Sequence, residues 1–320
     1  MQLFLSIFRD RGLPGGSAKS LGPIIATVSL ICGFASTALA APAHPPRDWF
    51  HVIRIDANTF ALSEPKYWQQ NVSYLLIGRD KALLFDSGPG VYSIRDVVQT
   101  LTTLPVLVIP SHLHFDHVGR IDEFSEIGLL DTPALRAEVR NGVFVETENQ
   151  FMLNSATSSF RVTDWIKDGT GIDLGVRKVT LISTPGHTPD SVSIIDGAGK
   201  RVFTGDLVDK DVWALTEGAS VAQIAASVRR VLQFLPKDGL DYEAHREAPW
   251  HYKELEEEAA AAESVTRGQV PMKPGCLAGQ RMRTYPMGRF TVTIPEEGVI
   301  TLRPLDSKET LLDEPPCGNR

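Results

Sequence analysis

The chain has 320 residues, a formal net charge of −7 and 42% apolar side chains. That acidity is poorly matched to a phosphate backbone and argues against nucleic-acid partners, including the nucleases that also cluster histidines. The apolar content is ample for a buried core, and the length favours one large domain.

Residues 1–40 read as an export signal. Arg9, Arg11 and Lys19 form a basic start, an apolar run follows from Leu21 to Ala35, and Ala38-Leu39-Ala40 stands before Ala41. The mature chain is expected to begin near Ala41 and to be periplasmic or secreted. An uncleaved anchor is the weaker reading, because Gly22, Pro23 and Gly33 interrupt a run that is already short for a bilayer. Ile31 before Cys32 argues against a lipoprotein. No later stretch is apolar enough to span, so no stable membrane insertion is expected.

Trp49 to Phe85 alternates short β-rich runs with Asn, Asp, Pro and Gly, and predicts an antiparallel meander over Phe50–Ile55, Thr59–Ser63, Val72–Gly78 and Ala82–Phe85. Asn71-Val72-Ser73 is formally a glycosylation sequon, but it opens an apolar strand, which predicts burial instead. Ile94, Val97, Val98 and Leu101 fall on one helical face behind Ser93 as N-cap. A buried strand at Val106–Ile109 then delivers Ser111-His112-Leu113-His114-Phe115-Asp116-His117 onto a loop.

Three imidazoles and a carboxylate in so short a segment are borderline-to-hard ligands suited to Zn, Fe, Mn or Co, and such sites usually keep a coordination position open for water. Catalysis is therefore the leading reading, against a histidine-rich loop satisfied by its own hydrogen bonds.

The pattern continues with strands at Val179–Ser183, Val192–Ile195 and Arg201–Phe203, and a helix over Val221–Leu235 capped by Ser220 and stopped by Pro236. A strand at Leu240–Glu243 runs into His245. An acidic helix starts near Lys253, with Glu254, Glu256, Glu257 and Glu258 expected on a solvated face. A signal at 1–40, a catalytic domain at 41–270 and a C-terminal extension at 271–320 follow, the last closing with a hairpin of Phe290–Ile294 against Val299–Leu302. Cys276 and Cys317 could pair in an oxidising compartment, a bond of roughly 4 kcal/mol on the chain-entropy account.

The histidine-rich segment, Thr184-Pro185-Gly186-His187, Thr204-Gly205-Asp206 and Ala244-His245 occur in one order, each at a strand end. Together they resemble the metallo-β-lactamase superfamily of hydrolases, from about Trp49 to Glu263. The resemblance implies an α/β fold, the four-layer αββα sandwich, with a dinuclear site at one edge. It implies that His112, His114 and His187 bind a first metal, that Asp116, His117 and His245 bind a second, and that Asp206 bridges. His251 is the rival of His245, since Ala244 and Arg246 replace the glycines usual beside that ligand. Asp86 resembles the family's buried supporting carboxylate, with a turn-forming Asp as the alternative.

What the resemblance implies for chemistry is two zinc ions, or iron or manganese, with a bridging hydroxide that cleaves an ester, thioester or lactone. Asp116 would handle the proton released. An aspartate bridge sets the chain apart from the β-lactamase branches, so β-lactam hydrolysis is the second reading. A mononuclear-iron sulfur dioxygenase and a catalytically silent metal binder are further alternatives. The partner is a small-molecule substrate whose identity, like the oligomeric state, the sequence leaves open. Tyr67 and Trp68, with Phe144, Phe151, Phe160 and Trp165 between Ile121 and Asp173, are candidate walls of its cleft, each individually more typical of core.

Overall fold

A computed structural model describes residues 48–296 except 146–158, 215–217, 278–279 and 288. In chain order the strands and helices are β1 His51–Asp56, β2 Thr59–Ser63, β3 Val72–Ile77, β4 Ala82–Phe85, α1 Ile94–Leu101, β5 Val106–Ile109, β6 Glu126–Leu130, α2 Pro133–Glu138, β7 Val143–Val145, β8 Ser159–Arg161, β9 Asp164–Ile166 and β10 Gly171–Asp173. There follow β11 Lys178–Ser183, β12 Val192–Asp196, β13 Arg201–Gly205, β14 Asp211–Trp213, α3 Val221–Leu232, β15 Leu240–Glu243, β16 Trp250–His251, α4 Tyr252–Thr266, β17 Lys273–Leu277, β18 Gln280–Met287 and β19 Phe290–Pro295.

Two sheets carry the core. One runs β1-β2-β3-β4-β5-β6-β9 and the other β10-β11-β12-β13-β15-β16. Because successive strand side chains alternate faces, each sheet buries both of its surfaces. Tyr74, Leu83, Phe85, Leu107 and Ile109 of the first sheet meet Leu181, Ile194 and Phe203 of the second in a central core. Their neighbours Leu62, Leu75, Leu84 and Val108 point the other way, onto Ile94 and Val98 of α1. On the far side Ile182, Ile195 and Val202 pack against Ile224 and Val228 of α3 and Leu255 and Ala259 of α4. Helix, sheet, sheet and helix therefore stack as the expected αββα sandwich. The Tyr74 hydroxyl donates to the Glu243 carbonyl at 2.6 Å and ties the two sheets together near the site.

The helix signals act as expected at their starts: Ser93 Oγ accepts from Asp96 N, and Ser220 Oγ from Gln223 N. The second of these helices ends at Leu232, short of the expected Leu235. One expectation on α4 is corrected. Glu254, Glu256 and Glu257 are partly exposed, but Glu258 is 1% exposed, because it shares the stripe of Leu255, Ala259, Ala262 and Val265 that faces α3. Burial pushes its carboxyl well above the usual range.

At the C-terminus a hairpin forms one strand earlier than expected. β19 pairs antiparallel with β18, Tyr285 opposite Val292, and parallel with β14. This four-stranded sheet, β14-β19-β18-β17, sets Phe290 and Val292 into the core beside α4. The expected partner 299–302, the export signal, Phe151 and Cys317 lie outside the described residues. Among the described residues no helix is long and apolar enough to cross a membrane.

Candidate metal centre

The site residues all follow C-terminal ends of strands. β4 delivers Asp86, β5 the segment Ser111–His117, β11 His187, β13 Asp206 and β15 His245. Short loops on buried strands fix their side chains to a rigid frame. Close approach enforces this at Gly205, where φ is +58° and a Cβ would stand 2.4 Å from Ser111 Cβ. The strand that presents Asp206 therefore lies directly against the residue that opens the histidine-rich loop. The Ser111 carbonyl accepts from Val192 N at 2.7 Å, and Leu113 N donates to the Asp190 carboxylate at 3.0 Å. These contacts pin the loop to the second sheet.

All seven candidate ligands come together. His112 Nε2 and His114 Nδ1 are 2.9 Å apart, and His187 Nε2 is 3.1 Å from His114 Nδ1. His117 Nε2 is 3.3 Å from Asp116 Oδ2, and His245 Nε2 is 3.7 Å from the same oxygen. Asp206 lies between the two groups. Its Oδ2 is 3.9 Å from His112 Nε2 and 3.5 Å from His187 Nε2, while its Oδ1 is 3.3 Å from His117 Nε2 and 3.1 Å from His245 Nε2. His251, the rival, is exposed at the start of α4 and remote from these groups in the hydrogen-bond pattern, its N–H donating to Glu254.

Two buried atoms test whether cations fit. His117 Nε2 and Asp206 Oδ1 face each other without a well-formed hydrogen bond to any protein group. Leaving such atoms unmet is costly unless something else satisfies them. Ring nitrogens and carboxylate oxygens at these separations match the spread of donors around a tetrahedral ion with bonds of about 2.0–2.2 Å. Three groups of donors converge closely enough to hold an ion: His112/His114/His187, His112/His117/Asp206 and Asp116/His117/His245. The residues fit metal.

Electrostatics divides the groups. Burial, then the neighbouring imidazoles, holds His112 well below its ordinary value, and burial with His187 pushes His114 down to about 3. Around His117 burial acts in the same direction but loses to Asp116, Asp206 and Asp86, so its pKa is raised well above normal. His245 is likewise raised, to about 10, by Asp206 and Asp116 against burial. The carboxylates of Asp116 and Asp206 are held low by those imidazoles despite their own burial.

Asp86 occupies the supporting position. One oxygen lies 3.1 Å from His117 Nδ1 and the other accepts from Ser111 N, so the carboxylate aims His117 Nε2 inward. Its φ of +65° is left-handed, a conformation that Asp tolerates better than most residues.

Sequence reasoning missed Gln69 and Asn71, whose amides both reach Asp116. It left the aromatic residues open, and the structure divides them. Phe144 and Phe160 pack on each other in the core at 5.2 Å, Tyr67 is half-buried, and Trp68 is exposed.

Residues 67–259 match the profile of the metallo-beta-lactamase superfamily, and the chain belongs to it. It is an enzyme of the metallo-hydrolase kind, in a superfamily that binds divalent metals. It is similar to "Probable metallo-hydrolase YqgX" of Bacillus subtilis, 28% identical over 54% of this chain and 83% of that one. It also resembles acyl-coenzyme A thioesterase MBLAC2 of Gallus gallus, at 23% identity over 59% of this chain and 77% of the relative. Hydroxyacylglutathione hydrolase of Francisella tularensis matches at 25% over 55% of this chain and 63% of that one. Among solved structures, a metallo-beta-lactamase from Pontibacter korlensis superposes with a TM-score of 0.52 at 18% identity. It covers 67% of this chain and 99% of that one, a likeness that shows the fold alone.

Proposed function

We propose that the chain is a two-metal hydrolase that cleaves an ester, thioester or lactone of a small molecule, with His112, His114 and His187 holding one zinc, Asp116, His117 and His245 the other, and Asp206 shared. The observation that carries this reading is Asp206 itself, whose carboxylate lies between the two histidine groups, with Oδ2 3.5 Å from His187 Nε2 and His245 Nε2 3.1 Å from Oδ1 and 3.2 Å from Oδ2. A bound pair of cations supplies Lewis acidity and lowers the pKa of water toward ~7, so a nucleophile is available near neutrality.

The chain's own residues do the rest. Asp86 fixes the ring of His117, and the Gln69 carbonyl, 2.9 Å from His245 Nδ1, fixes that ring in turn. Asp116 Oδ2 is engaged by two amide donors, and its Oδ1 accepts no hydrogen bond among the described residues. Asp116 would be the group that takes the proton released as a tetrahedral adduct collapses. Trp68, exposed beside Tyr67 and Gln69, supplies apolar surface at the rim for an acyl or alcohol group.

Thioesters have the added support of the similarity to an acyl-coenzyme A thioesterase and a hydroxyacylglutathione hydrolase. Elemental analysis run beside a panel of esters, thioesters, lactones and β-lactams tests the proposal. Two zinc ions per chain with turnover of an ester, thioester or lactone is expected. A single iron, or β-lactams as the sole substrates, overturns it. We further propose that residues 1–40 direct export; a mature N-terminus near Ala41 in the periplasm or medium is expected, and an intact N-terminus in the cytoplasm contradicts it.

A further inference from the structure

We infer that Gln69 and Asn71 are positioning residues that assemble the second metal position, acting through Asp116 and His245; this rests on the two-metal reading above. Gln69 Nε2 donates to Asp116 Oδ2 at 2.8 Å, and Asn71 Nδ2 donates to the same oxygen at 3.0 Å and to the Asp116 carbonyl at 3.0 Å. That oxygen is the one turned toward His117 Nε2 and His245 Nε2. The same short stretch also holds the other ligand. The Gln69 carbonyl faces His245 Nδ1 at 2.9 Å, and Val72 N donates to the Ala244 carbonyl at 2.6 Å.

Residues 69–72 thus bridge two ligands that lie far apart in sequence and come from different sheets. Nothing comparable joins Gln69 or Asn71 to His112, His114 or His187 among the described hydrogen bonds, so the effect is confined to one position.

The amides are committed to this task at a cost. Gln69 Oε1 and Asn71 Oδ1 are both buried without a protein partner. An amide selected for packing alone would satisfy its acceptor as well as its donors. Here both residues keep only their donor ends in use, and both donors converge on one anionic oxygen. Two N–H groups on one carboxylate oxygen take up its two lone-pair directions and fix the rotation of the whole group against His117 and His245. Ligand partners of this kind are worth about 10–100-fold in metal affinity.

Gln69→Met keeps the length of the side chain and removes the donors, and Gln69 is partly exposed, so the variant is expected to fold. Metal-free wild type and variant are titrated with Zn²⁺ against a chromophoric chelator, and the two stepwise constants are assigned with His187→Ala and His245→Ala. The expected result is a second-position affinity lower by about 10–100-fold, with the first position and the melting temperature of the metal-free chain unchanged. Asn71→Ser, which keeps a shorter polar group at the buried site, is expected to shift the same constant in the same direction. Equal weakening at both positions, or no change at the second, overturns the inference while leaving the two-metal reading intact. Wild type that takes up one ion overturns both.

Discussion

The two histidine groups of this site use the same imidazole chemistry, yet burial wins at His112 and His114 while carboxylates win at His117 and His245. His112, His114 and His187 crowd nitrogen to nitrogen, with Asp206 Oδ2 3.9 Å from His112 Nε2 and 3.5 Å from His187 Nε2. His117 and His245 are instead wedged among Asp116, Asp206 and, behind His117, Asp86. Without a cation His112 and His114 are held neutral, while His117 and His245 retain their protons. Burial is nearly common to both, so the carboxylate count decides which way each imidazole moves. A cation would meet neutral rings at His112 and His114, and would have to exchange for protons at His117 and His245.

Removing what the groups share has the largest expected effect. Asp206→Asn should lower metal content at both positions and cut turnover on the order of a thousandfold, the scale of losing one main electrostatic stabiliser. Elemental analysis and steady-state rates measure this. Unchanged turnover would mean that Asp206 does not join the groups.

His114→Ala and His245→Ala should separate them. Each is expected to lose one position while the other still binds, with activity reduced by about 100-fold or more in both. Zn²⁺ titration of each variant reads this directly, and loss of both ions in either variant would show a single cooperative unit instead.

Proton exchange gives a gentler contrast. His245 is raised to about 10, so below that pH a cation must displace a proton, and second-position affinity should fall about tenfold per pH unit per proton between pH 9 and 6. His114, at about 3, is already neutral there and adds no such slope to the first position. Parallel slopes in competition titrations would erase the distinction.

The smallest effect lies at the start of the loop that carries Gln69 and Asn71. Glu64 is 1% exposed, and burial raises its carboxyl to about 8 although Trp49 Nε1 donates to it at 2.6 Å. Its unfolded value is about 4.3. Between those values the folded chain holds a proton that the unfolded chain has lost, so this group's contribution to stability declines as pH rises. Glu64→Gln should be more stable relative to wild type at pH 8 than at pH 5, at about 2–4 °C in Tm per kcal/mol recovered. Thermal melts of the metal-free proteins at both values check the sign.

Much of this site is legible in the sequence, because the chemistry is concentrated in short segments. His112 to His117 is contiguous, and Asp86, His187, Asp206 and His245 each sit where a predicted strand stops. Their convergence was legible by resemblance alone, since no periodicity brings distant strand ends together. Gln69 and Asn71 left no signal, because an amide's role depends on what lies opposite it in three dimensions. Glu258 did leave one: it falls three residues after Leu255 and four before Ala262, on the buried stripe, and the run of acidic neighbours masked it. The strands at Lys273–Leu277 and Gln280–Met287 were hidden by Pro274, Gly275 and Pro286, residues that weaken a strand signal even where the register accepts them.

The contact between Gly205 and Ser111 reaches beyond local packing. Because the backbone before Asp206 rests on the residue that opens the histidine-rich loop, the space between the Asp206 carboxylate and that loop is set where there is no room even for a methyl group. Gly205→Ala would therefore act as a spacer, prying the shared carboxylate away from both groups while every ligand remained in the sequence.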